Sequence, residues 1–204
     1  MPLTMSTPLI LASASPYRRA LLEKLGLPFT AVSPAVDETR REKEEPQSLA
    51  LRLATEKSQA VASHTPHGLV IGSDQVAVLD GVVLSKPGTR EGAIAQLIKS
   101  SGQTIDFYTA VCVTRAETGQ FFSDIDTCRV TLRPLTRRRI EHYVDLEKPL
   151  DCAGSFKSEG LGIALLENIE GEDPNALVGL PLIRLIRILE AFELDCLDAQ
   201  LKRL

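Results

Sequence analysis

Tryptophan is absent from this chain of 204 residues, and aromatic residues make up only 4% of it. A chain with so few rings has little surface on which the bases of single-stranded nucleic acid could stack. The 23 basic and 27 acidic residues give a formal net charge of −4. This balance argues against a general nucleic-acid binder, although it leaves room for a local basic pocket. We therefore expect no nucleic-acid partner.

Cysteine is scarce, and its four positions are scattered along the chain: Cys112, Cys128, Cys152 and Cys196. Without CxxC spacing they form neither a zinc motif nor a disulfide framework, which suits the reducing cytoplasm. The N-terminus lacks the basic region of a signal peptide, and no apolar run is long enough to span a membrane. The common phosphate-binding loops, GxxxxGK[ST] and GxGxxG, are also missing. We expect a cytoplasmic protein without a membrane partner.

An apolar fraction of 44% and a charged fraction of 25% are ordinary for a globular protein with a sizeable core. Apolar strands alternate with helical segments, and Asp80-Gly81 between two apolar runs is a strong hairpin signal. The pattern predicts a mixed α/β fold, in which helices flank a mixed, twisted sheet. We treat residues 1–204 as one domain, with residues 1–8 as a flexible N-terminus.

The stretch around the first predicted helix carries an unusual charge pattern. Leu9–Ala12 predicts a buried strand, and the following helix begins after Ser15 and ends near Gly26. Arg18 and Arg19 lie in its first turn, where the helix dipole favours acids over bases. A helix start with two arginines could attract an anion such as phosphate. The alternative is a strand-to-helix turn with two solvated arginines.

A lysine lies in line with the apolar face of the second predicted helix, which spans about Pro46–Ser63. The apolar line runs through Leu49 and Leu53, and the next four-residue step reaches Lys57. Its side chain could snorkel to the surface, which the pattern alone favours, or reach into a site. The charge run Arg40–Glu45 before this helix is interpreted as solvated.

The rest of the chain contains four further segments that predict strands. Leu69–Ile71 predicts a strand with Asp74 beyond its end, and Leu161–Leu166 predicts another strand. Two long strands are expected at Thr104–Thr114 and Phe122–Leu132.

Phosphate-binding chemistry remains once the common motifs are excluded. Cations neutralise phosphate oxygens, while carboxylates hold a divalent ion or orient a water molecule. Each such residue would be ordinary surface alone, so only convergence in space would create a site. The candidate residues are Ser13, Arg18, Arg19, Lys57, Lys86 and Lys157, with Asp37, Glu38, Asp74 and Glu159 as the acids.

Seven separated segments resemble the Maf family of nucleotide pyrophosphatases in the family's order. They are LASASPYRRALLEKLG, VDET, ATEKSQA, IGSDQV, LSKPG, CAGSFKSEG and DPNALVGLP. The match covers residues 9 to about 189. It implies a fold similar to inosine triphosphate pyrophosphatases, with two lobes around a cleft. It also implies hydrolysis of a nucleoside triphosphate to the monophosphate and pyrophosphate, with a divalent cation (Mg, Mn or Co) as cofactor.

The resemblance also implies residue roles. Asp74 matches the catalytic aspartate, and Glu38, or its neighbour Asp37, matches an acidic loop that would hold the metal together with Asp74. For Lys57 the match replaces the snorkelling interpretation. The phosphate-binding residues would be Ser13, Arg18, Arg19, Lys57 and Lys86.

The segments SPYRR, SDQV and GSFKSEG look most like the 7-methyl-GTP pyrophosphatase branch, with specificity positions at Tyr17, Gln75 and Glu159. That branch more typically has Trp where this chain has Tyr17, so an aromatic face is kept. Methylation at N7 makes guanine cationic, and a cation–π contact is worth on the order of 0.5–2 kcal/mol. The alternative is that Tyr17 packs the helix and Glu159 is a solvated loop acid.

Two other functions stay open at this stage. One is hydrolysis of dTTP or UTP, the activity of the sister branch. The other is a nucleotide-sensing regulator, because family members have been linked to inhibition of septum formation. For assembly we consider a homodimer.

Overall fold

The computed structural model describes residues 7–201, and its contacts divide the chain into two compact units. The first unit contains the chain up to Asp74, together with Thr109–Asp126 and the segment from Asp173 onwards. The second contains Gln75–Tyr108 and Thr127–Glu172. Most of the predicted flexible N-terminus, residues 1–6, lies outside the described part.

Helices flank one mixed sheet, which confirms the predicted fold class. The strands are β1 (Leu9–Ala12), β2 (Phe29–Val32), β3 (Leu69–Leu79), β4 (Val82–Leu84), β5 (Thr104–Arg115), β6 (Phe121–Leu132) and β7 (Leu166–Glu170). The helices are α1 (Pro16–Glu23), α2 (Pro46–Ala62), α3 (Arg90–Ser100), α4 (Arg137–Glu147), α5 (Leu182–Ala191) and α6 (Cys196–Leu201). Short 3₁₀ segments lie at Ala153–Ser155, Leu161–Leu165 and Ala176–Val178.

The sheet has the strand order β2-β1-β3-β5-β6-β7, and β4 pairs with β3. β1 runs parallel to both neighbours, with Leu9 opposite Phe29 on one side and Leu69 on the other. All four residues of β1 are buried, as expected for a parallel strand with both faces covered. The β3–β4 hairpin turns at Asp80-Gly81, where both residues have positive φ, as the sequence predicts.

The core of the first unit forms where α1 and α5 cover one face of this sheet. Leu11 and Ile71 are fully buried there with Leu22, Leu185 and Phe192. In the second unit α3 packs against α4, and Phe107 meets Phe156 edge to face at 5.6 Å between ring centroids. None of the helices among residues 7–201 combines the length and apolar character needed to cross a membrane.

Helix α1 begins as its sequence predicts. The Ser15 hydroxyl accepts a hydrogen bond from the Arg18 backbone N–H at 3.4 Å, and Pro16 occupies the first turn. The chain leaves the helix through Gly26, whose φ of +64° is left-handed, a conformation that favours glycine. This geometry places Arg18 and Arg19 in the first turn.

The predicted end of the strand at Ile71 is wrong, because β3 continues without a break from Leu69 to Leu79. Asp74 therefore lies within a strand. The small residues after Ile71 have a packing cause: a Cβ on Gly72 would lie 2.2 Å from the Ala54 carbonyl oxygen. The absence of a side chain at Gly72 therefore allows the backbone of α2 to lie close to the backbone of β3.

The predicted strand Leu161–Leu166 is also wrong. Residues Leu161–Leu165 form a 3₁₀ helix, and the strand runs from Leu166 to Glu170. A Cβ on Gly162 would lie 2.3 Å from the Lys157 carbonyl oxygen, so this glycine allows a tight turn. A short apolar run cannot distinguish these conformations by its pattern alone.

Candidate active site

A buried lysine joins two carboxylates in the first unit. The Lys57 ammonium lies 2.6 Å from Asp74 Oδ1 and 2.6 Å from Glu38 Oε1. Lys57 is only 5% exposed and Asp74 is 8% exposed, whereas the Glu38 side chain is 60% exposed. The snorkelling interpretation of Lys57 is therefore wrong, and its side chain points into a charged cluster. Below, "acid–lysine cluster" means Glu38, Lys57 and Asp74.

Three different elements bring the acid–lysine cluster together. Lys57 continues the buried face of α2 after Leu49 and Leu53. Asp74 comes from β3, and Glu38 comes from the loop between β2 and α2. A buried ammonium is costly unless it is paired, so the close carboxylates compensate its burial. The cluster combines one inner acid with one that faces solvent, which would let a substrate reach it.

The structure distinguishes the two neighbouring acids of the loop before α2. Asp37 Oδ1 accepts a hydrogen bond from the Thr39 N–H at 2.9 Å. Hydrogen bonding from Thr39 lowers the pKa of the Asp37 carboxyl below its usual value. Asp37 thus closes a local turn, while Glu38 contacts Lys57. Geometry favours Glu38 as the working acid.

Arg18 is held beside this cluster by a distant loop. Its Nε donates a hydrogen bond to the Gly179 carbonyl at 2.8 Å, and the Ser73 hydroxyl lies 3.0 Å from the same oxygen. Burial lowers the pKa of the Arg18 guanidinium, and the charges of Asp74 and Glu38 oppose that shift. Arg18 is therefore electrostatically coupled to two members of the cluster.

The remaining N-terminal candidates occupy different environments. Ser13 is buried, and its hydroxyl accepts a hydrogen bond from the Ser15 N–H at 3.1 Å. The Arg19 guanidinium is exposed and lies 6.0 Å from the centroid of the Phe29 ring. Tyr17 is partly buried on α1. Their predicted contacts with a nucleotide stay predictions.

Three of the residues to which the family resemblance gives a role belong to the second unit. Gln75 directly follows Asp74 on β3 and is partly buried, while Lys86 is exposed in the loop after β4. Glu159 is exposed in the turn before the 3₁₀ helix at Leu161–Leu165. Their roles also stay predictions.

The segment around Glu159 is anchored to the end of α4. The Tyr143 hydroxyl accepts a hydrogen bond from the Lys157 N–H at 2.9 Å, and Lys157 Nζ donates to the Glu147 carbonyl at 2.8 Å. Glu147 Oε1 accepts from the Leu161 N–H at 3.0 Å. Burial raises the pKa of Tyr143. Lys157, a phosphate-binding candidate by sequence, has a structural partner here.

Sequence reasoning missed the residues that support the site. Gly179 has a φ of +122° and offers its carbonyl to Arg18. The motif DPNALVGLP contains this glycine, but it gives no sign of a contact 161 residues away. The anchors Tyr143 and Glu147 show only the spacing of an ordinary helix.

The donor chemistry of the acid–lysine cluster fits a divalent cation that also binds phosphate. Among residues 7–201 no group of three or more His, Cys, Asp or Glu side chains is arranged to hold a metal. Magnesium, however, is usually bound by one or two carboxylates together with substrate phosphates and water. Glu38 and Asp74 are two carboxylates that could hold such an ion together with substrate phosphates.

Comparison with known proteins finds a matching family model and similar relatives. A family model described as "Maf-like protein" matches residues 8–192. A protein of Vibrio vulnificus named 7-methyl-GTP pyrophosphatase is 58% identical over 181 residues, which cover 89% of this chain and 93% of the relative. A protein of the same name from a Polaromonas species is 56% identical, covering 91% of this chain and 85% of the relative.

Among solved structures, the Ham1 protein of Staphylococcus aureus aligns with a TM-score of 0.47 at 14% identity. The alignment covers 76% of this chain and 90% of that chain.

Proposed function

This chain belongs to the Maf family, and we propose that it hydrolyses 7-methyl-GTP to 7-methyl-GMP and pyrophosphate in the cytoplasm. The observation that carries the proposal is the acid–lysine cluster beside Arg18, in which Lys57 and Asp74 are buried. The printed names of relatives at 58% and 56% identity support the substrate. The activity is that of a hydrolase acting on the α–β phosphoanhydride bond of a nucleoside triphosphate.

The chemistry follows from the placement of charge. Asp74 accepts a proton from a water molecule, whose oxygen attacks the α-phosphorus. The bond from the α-phosphorus to the α–β bridging oxygen breaks, and that oxygen leaves with pyrophosphate. Lys57 and Arg18 neutralise the charge that develops on the phosphate oxygens. When bound, a divalent cation held by Glu38 and Asp74 would neutralise further phosphate charge.

The remaining predicted residues divide between the two ends of the nucleotide. Ser13, Arg19 and Lys86 would bind the triphosphate with Arg18. Tyr17 and Glu159 would favour the cationic 7-methylguanine over guanine, and Gln75 would complete the specificity set. The resemblance of the segments SPYRR, SDQV and GSFKSEG to the family supports these roles.

Substrate preference tests the proposal directly. At equal concentrations of 7-methyl-GTP, GTP, dTTP and UTP, we expect pyrophosphate release to be fastest with 7-methyl-GTP, with Mg, Mn and Co each tried. A preference for dTTP or UTP would assign the chain to the sister branch. Tight nucleotide binding without pyrophosphate release under any metal would instead favour a nucleotide-sensing regulator.

Replacing Tyr17 by Leu removes the aromatic face and keeps an apolar side chain of helical propensity. We expect the ratio of kcat/KM for 7-methyl-GTP to kcat/KM for GTP to fall about three- to thirtyfold, the worth of a cation–π contact. The control is Leu146→Ala, because Leu146 is an exposed apolar residue on α4. This substitution should leave the ratio unchanged. An unaltered ratio in Tyr17→Leu would show that Tyr17 only packs the helix.

The two neighbouring acids give a matched pair of variants. Glu38→Gln removes the carboxylate that contacts Lys57, so we expect kcat/KM to fall by about ten- to a hundredfold. Asp37→Asn should stay within about threefold of wild type, because Asn also closes such turns. Steady-state pyrophosphate release measures both variants. A larger loss in Asp37→Asn than in Glu38→Gln would reverse the assignment of the working acid.

A further inference from the structure

Arg52 of helix α2 contacts the loop that carries Glu38, and Arg41 of that loop makes a second, more exposed contact at 3.0 Å from Glu56 Oε1 of α2. Arg52 Nε lies 2.6 Å from Glu44 Oε1, and Arg52 Nη2 lies 2.9 Å from Glu44 Oε2. The remaining terminal nitrogen, Nη1, lies 2.9 Å from Glu56 Oε2. Such a two-pronged contact between guanidinium and carboxylate fixes orientation as well as distance. Below, "acidic loop" means residues 37–45.

Arg52 also contacts the residue next to the working acid. Its Nη2 donates a hydrogen bond to the Thr39 carbonyl at 3.1 Å, and Thr39 directly follows Glu38. Arg52 therefore holds the acidic loop at two places, near its start and near its end. Between them, Arg40 donates to the Glu44 carbonyl at 2.8 and 2.6 Å, which closes the loop on itself.

The interaction between Arg52 and Glu44 is not an ordinary surface ion pair. The two side chains are only 13% and 9% exposed, whereas exposed pairs contribute little. The hydrogen bond from Arg52 lowers the pKa of Glu44 to about 2. The pair is thus charged and shielded throughout the pH range of an enzyme assay. The interpretation of Arg40–Glu45 as a solvated run is wrong for Glu44.

We infer that Arg52 is a positioning residue of the active site, which acts by holding the acidic loop so that Glu38 reaches Lys57. This inference rests on the proposed function for its catalytic consequence. Glu38 is 60% exposed, so its own contacts constrain it less than those of a buried side chain would. A displacement of about 1 Å in a catalytic group can cost on the order of a hundredfold in rate.

Limited proteolysis measures the position of the loop without any assay of activity. Arg40, Arg41 and Lys43 are trypsin sites within the acidic loop. In Arg52→Ala, we expect cleavage after these residues, followed by mass spectrometry, to be at least about tenfold faster than in wild type. The matched control is Arg90→Ala, because Arg90 holds Asp145 at 2.6 and 2.9 Å with the same two atoms, but in an exposed pair.

A double-mutant cycle tests whether Arg52 acts through Glu38. We expect Arg52→Ala to lower kcat/KM by about ten- to a hundredfold in wild type and by less than threefold in Glu38→Gln. Arg90→Ala should lower it by less than threefold. Because Arg52→Ala removes one partner from each of Glu44 and Glu56, Glu44→Gln provides a second variant in case Arg52→Ala does not fold. It weakens the same contact, and it should change cleavage and kcat/KM in the same direction.

Either of two results would overturn the inference. One is unchanged loop cleavage in both Arg52→Ala and Glu44→Gln. The other is an equal loss of kcat/KM on Arg52→Ala in the wild-type and Glu38→Gln backgrounds. A wild-type protein that releases no pyrophosphate would instead contradict the proposed function. In that case proteolysis alone decides whether Arg52 holds the acidic loop.

Discussion

Replacing Asp74 by Asn should lower kcat for pyrophosphate release by about 10²–10⁴, the usual contribution of a general base. This loss corresponds to about 3–5 kcal/mol of transition-state stabilisation. Asn has nearly the same shape as Asp but cannot accept the proton of the attacking water. Asp74 is 8% exposed and pairs with Lys57 at 2.6 Å, so it is held in one orientation within β3.

The control for this variant is Asp80→Asn, which makes the same chemical change in the exposed turn at the end of the same strand. Asp80 has a φ of +48°, a conformation that Asn adopts readily. We expect its kcat to match wild type within about twofold, and thermal melting should show both variants folded. An Asp74→Asn protein with near wild-type kcat would remove Asp74 from the role of proton acceptor.

Replacing Lys57 by Met should lower kcat/KM by about 10²–10³, the loss seen when one preorganised electrostatic group is removed from a site. Met keeps the length and apolar stem of the side chain, so α2 can still pack. The two carboxylates of Glu38 and Asp74 would then repel each other and the triphosphate. Breaking a buried ion pair also costs about 3–5 kcal/mol of stability, so the melting temperature should fall.

Lys99→Met is the matched control for this second variant. Lys99 is exposed in the last turn of helix α3, and its replacement should change kcat/KM by less than twofold. The activity of Lys57→Met is measured well below its melting temperature, which separates lost chemistry from lost folding. A folded Lys57→Met protein within threefold of wild-type kcat/KM would show that the lysine serves only to pack α2.

The sequence predicted those parts of the site that depend on short-range patterns. The cap at Ser15 fixes where α1 begins, so the placement of Arg18 in its first turn could be predicted. The helical spacing of α2 likewise put Lys57 on the buried face. The pattern alone, however, favoured an exposed ammonium, because it contained nothing about the two carboxylates that lie at 2.6 Å.

Other features depend on contacts between distant or ambiguous segments. The predicted strand ended at Ile71, before Asp74, but Gly72 instead lets α2 pack closely against an unbroken β3. The sequence left Asp37 and Glu38 as alternatives, because only the fold shows that Asp37 accepts from the Thr39 N–H while Glu38 contacts Lys57. In the charge run before α2, several acids look alike in sequence, and only the fold selects Glu44 as the partner of Arg52.

The most direct test of the central claim is hydrolysis of 7-methyl-GTP in water labelled with ¹⁸O, followed by mass spectrometry of both products. Attack of water on the α-phosphorus predicts one pyrophosphate for each 7-methyl-GMP, with the label in the nucleoside monophosphate. Label in pyrophosphate, release of orthophosphate as the first product, or no turnover of 7-methyl-GTP would contradict the account.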